Sequence, residues 1–201
     1  MTDRAIETFM RNGLRVSIHH DEDPESPRTY DNLATLACWH RRYTLGDLQP
    51  KESSVDFVIP EDALAVLPLH LFEHGGITMS TGAYGDRFDS GQAGWAYVTP
   101  DRASVMGCEG EGWTRERYEE AIRDEVRTYA NYLEGRNCGY VIESPDGETL
   151  TSCWGFTGEE NMDYVRSEAI AAADAEENPE VAALCARATF AGPMNAENPN
   201  A

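Results

Sequence analysis

The alternation of apolar and polar positions divides the chain into a strand-rich first part and a helix-rich last part. Residues 2–12 place Ile6, Phe9 and Met10 on one side at helical spacing, with Thr2 or Asp3 to cap the start and Gly13 to end the turn, so a short helix is expected there. Leu14 to Ile18 alternates with the period of a strand, and the charged, proline-containing stretch His20 to Arg28 reads as an exposed loop. Strands are predicted over Leu33–His40, extended past a bend by Tyr43–Leu45, and over Val55–Ile59. Further strands are predicted over Leu67–Phe72, Ile77–Ser80 and Gly94–Thr99, separated by Gly75-Gly76 and by the glycine-rich loop Gly82–Gly91. Pro60 suits the first turn of a short helix reaching Val66.

The clearest element is a helix over residues 115–134. Tyr118, Ile122, Val126, Tyr129 and Leu133 recur at spacings of three and four and form one apolar stripe, between Thr114 as cap and Gly135 as terminator. Cys138–Glu143 and Thr149–Phe156 form a hairpin around Pro145-Asp146-Gly147. Thr157 and Glu160 resemble a capping box for a helix to Ala175, and Asn178-Pro179 starts a last one. The stretch after Phe190 has no apolar pattern. The expectation is one α+β domain over residues 1–190, with a mostly antiparallel sheet packed by the long amphipathic helix and C-terminal helices, and a mobile tail at 191–201.

Charge changes this picture. Against 36 acidic residues stand 16 basic ones, a formal net charge of -20, and Lys51 is the single lysine. Such a field repels phosphate backbones and anionic membrane surfaces and favours encounter with cationic grooves. A folded chain of this mass exposes roughly 9,400 Å², so the mean is about one net charge per 470 Å². Duplex DNA, a cylinder roughly 20 Å wide, carries about one per 110 Å². Imitation of DNA therefore requires clustering on one face; an even spread is what salt adaptation or simple solubility produces. Three groups of acids are dense: Asp21, Glu22, Asp23 and Glu25 in one loop; Glu109, Glu111, Glu116, Glu119 and Glu120 around the start of the long helix; and Asp174, Glu176, Glu177 and Glu180 near the last one. The macrodipole explains part of the second and third groups, because acids stabilise a helix N-terminus. It does not explain the first.

Five cysteines, at 38, 108, 138, 153 and 185, form no C-x-x-C pair and read as reduced thiols in a cytoplasm. No apolar run approaches a membrane span, and the first residues have no hydrophobic signal core.

Four stretches carry a resemblance. Asp31–Asp47 (DNLATLACWHRRYTLGD), Leu67–Ser80 (LPLHLFEHGGITMS), Asp89–Thr99 (DSGQAGWAYVT) and Ser152–Phe156 (SCWGF) together resemble a family of small bacteriophage and mobile-element proteins, over roughly residues 14–160. The resemblance transfers no catalytic residues. It implies a genomic neighbourhood in which acidic proteins often resemble inhibitors of host defence, of the anti-restriction or anti-CRISPR type.

Candidate chemistry is sparse. Cys38 and His40 stand two apart, on one face of a strand, and Arg41 and Arg42 adjoin them; a thiolate there would have a lowered pKa, as a nucleophile needs. The competing reading buries Cys38 and His40 and pairs the arginines with Asp31 or Asp47. His70, Glu73 and His74, and separately His19 and His20 before Asp21, are candidate metal patches without a fixed third ligand. Asp86 to Gln92, with Asp89 and Ser90, has the composition of a turn, and phosphate-binding and nucleophile-elbow motifs are absent. Trp39, Trp95, Trp113 and Trp154 lie mostly in core patterns, and an exposed one would anchor a partner. No cofactor and no metal are expected. The leading expectation is stoichiometric binding without catalysis: an inhibitor whose nine acids at 21, 22, 23, 25, 109, 111, 116, 119 and 120 meet a host protein's basic, nucleic-acid-binding site. A small enzyme using Cys38 and His40, and a solvated accessory domain with no electrostatic partner, are the alternatives.

Overall fold

A computed structural model describes residues 5–50, 57–86, 88–158 and 161–177. Its first elements are β1 (Glu7–Arg11), β2 (Leu14–His20), β3 (Thr35–Cys38), β4 (Ala65–Glu73), β5 (Ile77–Ser80) and β6 (Ser90–Val98). They are followed by α1 (Pro100–Val105), α2 (Arg115–Leu133), β7 (Asn137–Glu143), β8 (Thr149–Thr157) and α3 (Met162–Glu177). The class is α+β with two antiparallel four-stranded sheets. Where the sequence shows one undivided stretch, the contacts cluster into two compact units: residues 1–22 with 137–201, and residues 23–136.

The first unit is built from both ends of the chain. Its sheet has the order β1-β2-β7-β8. Val16, Ile18, Tyr140 and Ile142 face Val165, Ala169 and Ala173 of α3. The predicted N-terminal helix is instead strand β1. Asn12 and Gly13 sit at φ 51° and 80°, the conformation of a tight hairpin turn that asparagine and glycine tolerate. That turn pairs Phe9 with Val16, and Phe9 packs on the core of this unit. The β7–β8 hairpin forms as expected. Thr157 does not open the next helix: it ends β8 and donates its hydroxyl to Asn137 Oδ1 at 3.1 Å. Glu160, the last predicted helix from Asn178 and the tail lie outside the described residues.

The second unit has the sheet order β3-β6-β4-β5 with α2 on one face. Thr114 caps α2, and Tyr118, Ile122, Val126 and Tyr129 are buried against Leu36, Leu69, Met79 and Val98. No helix forms between Pro60 and Val66. A turn closes there by the Ala63 amide bonding to Pro60 O at 3.1 Å, and Ala65 and Val66 pair with β6. The short helix α1 was not anticipated, although Thr99-Pro100 carries the same cap-and-proline signal that marks Asn178-Pro179. Of the predicted strand 55–59, residues 57–59 have no regular structure and the rest lies outside the described residues. Tyr43–Leu45 is loop, and Leu48 rather than Tyr43 bridges to β3 through Ala37.

Candidate functional site: the Trp39–Tyr43 turn and the acidic start of α2

The four residues Cys38, His40, Arg41 and Arg42 do not form one reactive cluster. Cys38 ends β3 and lies in the core with 1% of its surface exposed. Burial, reinforced by the nearby Asp47 carboxylate against a smaller opposing effect of Arg28, pushes its thiol up to about 12. A thiolate nucleophile at neutral pH is therefore not available here. Native protein is expected to leave Cys38 unmodified by iodoacetamide over hours at neutral pH, whereas denatured protein reacts fully; mass spectrometry of the peptide containing Cys38 reads the difference.

His40 turns the other way. Its Nδ1 accepts the backbone N–H groups of Arg42 and Tyr43, both at 3.3 Å, so Nε2 carries the proton and donates to Glu73 Oε1 at 2.7 Å. The second oxygen of Glu73 accepts from Arg42 Nη2. The Tyr43 ring stacks on His40 with centroids 5.0 Å apart. His40, Glu73 and Arg42 thus nail a turn to strand β4. Both imidazole nitrogens are engaged within the protein.

The expected arginine partners are also different. Arg42 takes Glu73, and Asp31 lies 3.7 Å from Arg102. Asp47 takes Arg28, which is a residue that no sequence pattern singles out. The Arg28 guanidinium, 6% exposed, forms a fork with Asp47 (Nε–Oδ1 3.0 Å, Nη2–Oδ2 2.6 Å) and reaches Glu125 Oε2 of α2 at 3.1 Å. Both carboxylates are further held by backbone amides: Leu36 N–H on Asp47 at 2.7 Å, and Leu33 N–H on Glu125 at 2.6 Å. Burial is the largest single effect on Arg28 and lowers its pKa, but the hydrogen bonds and charges of Asp47 and Glu125 together outweigh it and raise the already high value. This network ties the 27–29 turn, the 45–48 loop and α2 around the end of β3.

Neither histidine patch gathers a set of metal ligands among the described residues. His74 Nδ1 bonds to Asp89 Oδ2 at 2.8 Å, and Glu73 is committed to His40 and Arg42. His19 Nε2 bonds to Ser17 Oγ at 2.9 Å. Among the described residues no group of three or more His, Cys, Asp or Glu side chains is placed to hold a metal. Ser90–Gln92 already belong to β6, and the residues before them are held by Asp86: its Oδ1 accepts from the Phe88 and Asp89 amides, and the Ser90 hydroxyl donates to Asp86 O.

The acids divide by environment. Asp21 and Glu22 belong to the first unit, and Asp23, Glu25 and the five glutamates at 109–120 to the second. Glu25 accepts from the Thr29 hydroxyl. Glu119 is gripped by Arg115 at 3.1 Å and Arg123 at 3.0 Å, and these hydrogen bonds lower its pKa. Glu116 is lowered by bonds to its own backbone N–H and to Thr114, a capping role. Glu109, Glu111 and Glu120 are exposed and enter no ion pair among the described residues. The third group is structural in part: Asp174 receives a bidentate fork from Arg11 at 2.6 and 2.7 Å and Asn12 at 2.8 Å, which ties α3 to the β1–β2 turn. Glu180 lies outside the described residues.

Of the four tryptophans, Trp154 is the most exposed, at 45%. Among the described residues no helix is long and apolar enough to cross a membrane. The chain matches no protein-family model, no curated protein and no solved structure.

Proposed function

We infer that the protein works by binding rather than by chemistry, and that its acidic surface occupies a basic site on a partner protein that otherwise holds nucleic acid. The resemblance of its motifs to bacteriophage and mobile-element proteins makes a host nucleic-acid defence complex the class of partner. The observation that carries the reading is at the start of α2. Glu109, Glu111 and Glu120 keep unneutralised charge even though three arginines stand beside them in sequence. Arg115 and Arg123 are both spent on Glu119, and Arg117 donates to Gly112 O at 3.2 Å with its guanidinium 4.4 Å over the Trp113 ring. The negative charge there is fixed by the arrangement of its cations and is not an average over the surface. The burial of Cys38 and the hydrogen bonds on both nitrogens of His40 count against the enzymatic alternative and favour this reading.

The test is capture of the partner from lysate of a bacterial host at low salt, followed by competition. Affinity is expected to fall about tenfold or more between about 50 and 200 mM salt, and duplex DNA is expected to displace the protein. Joint reversal of Glu109, Glu111 and Glu120 to arginine is expected to abolish capture, and reversal of Asp21, Glu22 and Asp23 to weaken it. Binding indifferent to salt and to both sets of reversals would sink the electrostatic reading.

A further inference from the structure

The turn after β3 leaves one cation over. His40 is held by two backbone amides and Glu73, and Arg42 by Glu73. Arg41, at the tip between them, makes no hydrogen bond or ion pair among the described residues. In a chain with 36 acidic residues and 16 basic ones, an uncommitted guanidinium is an exception. Every other arginine described is tied to a carboxylate except Arg117, which is tied to a carbonyl and an indole ring.

Arg41 lines an open cleft of about 370 Å³ within the second unit. That volume is in the range of small-molecule sites. Two aromatic rings line the same cleft. Trp39 neighbours Phe57, with ring centroids 6.4 Å apart, and Phe57 neighbours Tyr97 at 6.2 Å. Phe88 is 98% exposed, carried on the Asp86 turn. A phenyl ring whose whole surface is solvated contributes nothing to the core and gains from being covered. The charges of Arg42 and Glu73 cancel at short range, so among the described residues the cleft offers a single uncommitted cation beside two rings. Asp89, the other acid on its wall, is engaged by His74.

We propose that this cleft binds a small aromatic monoanion, a planar ring bearing a carboxylate, with the ring against Trp39 and Phe88 and the carboxylate on the Arg41 guanidinium. A guanidinium fork matches a carboxylate in plane and charge, and ring stacking supplies the desolvated area that a lone surface ion pair lacks. The site is separate from the acidic start of α2 and stands whether or not that surface meets a basic partner.

The experiment is titration of the full chain with indole-3-carboxylate, with neutral indole as comparison, followed by the indole N–H resonance of Trp39 in ¹⁵N-labelled protein. Saturable binding of the carboxylate is expected, with indole about tenfold weaker or more. Arg41→Ala and Phe88→Ala are each expected to weaken the carboxylate about tenfold. Both side chains are exposed, so melting temperatures are expected to stay at the wild-type value, which separates loss of the site from loss of the fold. Arg136→Ala, an exposed arginine of the same unit lining a different cleft, is the control for general charge. Equal affinity for indole and its carboxylate, no change in Arg41→Ala, an equal loss in Arg136→Ala, or no saturation below about 10 mM would each overturn the proposal.

Discussion

Arg28→Ala is expected to destabilise the second unit by about 3 kcal/mol, the lower end for breaking a buried ion pair, because the guanidinium is buried while the two carboxylates are partly exposed. Removing the guanidinium leaves Asp47 and Glu125 facing each other around the end of β3 without their common cation. Their backbone donors remain, so the carboxylates stay anchored in place and repel. Arg28→Lys keeps the charge but loses the fork that engages both oxygens of Asp47, and an intermediate loss of about 1–2 kcal/mol is expected. Urea unfolding followed by tryptophan fluorescence reads this unit preferentially, because Trp39, Trp95 and Trp113 lie in it and Trp154 lies in the other. A loss below about 1 kcal/mol in Arg28→Ala, the value of an ordinary surface ion pair, would mean that the network is a solvated one and not a clamp.

The second large effect comes from two glycines of one strand. A Cβ built on Gly94 in β6 would overlap the Ala37 carbonyl oxygen of β3 and lie 3.1 Å from both the Ala37 carbonyl carbon and Cys38 Cα. These are backbone atoms, which cannot rotate away. Gly94→Ala is therefore expected to push β3 off β6 at a cost of about 3 kcal/mol or more, at the upper end for overpacking. Gly91, three residues earlier in β6, has open space where its Cβ would stand. Gly91→Ala is expected to change stability by less than about 0.5 kcal/mol, and a small gain is the expected sign because the unfolded chain loses freedom. The same urea transitions measure both variants. Equal effects at 91 and 94 would show that the β3–β6 contact at Gly94 is not as close as described.

The local signals read correctly where one pattern had no rival. The stripe Tyr118, Ile122, Val126, Tyr129 predicted α2 to within a residue at its end, because nineteen residues of 3.6 periodicity cannot be fitted to a strand. The Pro145-Asp146-Gly147 hairpin was equally direct. Residues 2–12 failed because Ile6, Phe9 and Met10 satisfy a helical spacing in a segment short enough to alternate as well. Asn12-Gly13 was the discriminating signal, and it favours the hairpin. Pro60 to Val66 failed because pairing with β6, a partner more than thirty residues away in sequence, outweighed a local helix start.

The candidate site was legible only as a list of residues. Sequence put Cys38, His40, Arg41 and Arg42 side by side, and adjacency says nothing of their partners. Their separation into a core thiol, a locked imidazole, a paired guanidinium and an unpaired one depends on Glu73, more than thirty residues away, and on which face of β3 meets the core. Of the triad Arg28, Asp47 and Glu125, only Asp47 was legible as an arginine's partner, and for the wrong arginine, since its three members share no motif or spacing.

By itself the sequence determined the α+β class, the long helix and its apolar stripe, the acidic excess and the lack of a known catalytic motif, because these follow from composition and from contacts between near neighbours. Tertiary structure decided the pairing of charges: which glutamates at the start of α2 are neutralised, why Asp174 belongs to a hairpin contact, and why Arg41 is left over. Hydrogen bonds and ion pairs form between whatever the fold brings within about 3 Å, and the distance along the chain between Arg28 and Glu125, or His40 and Glu73, carries no information about that separation in space.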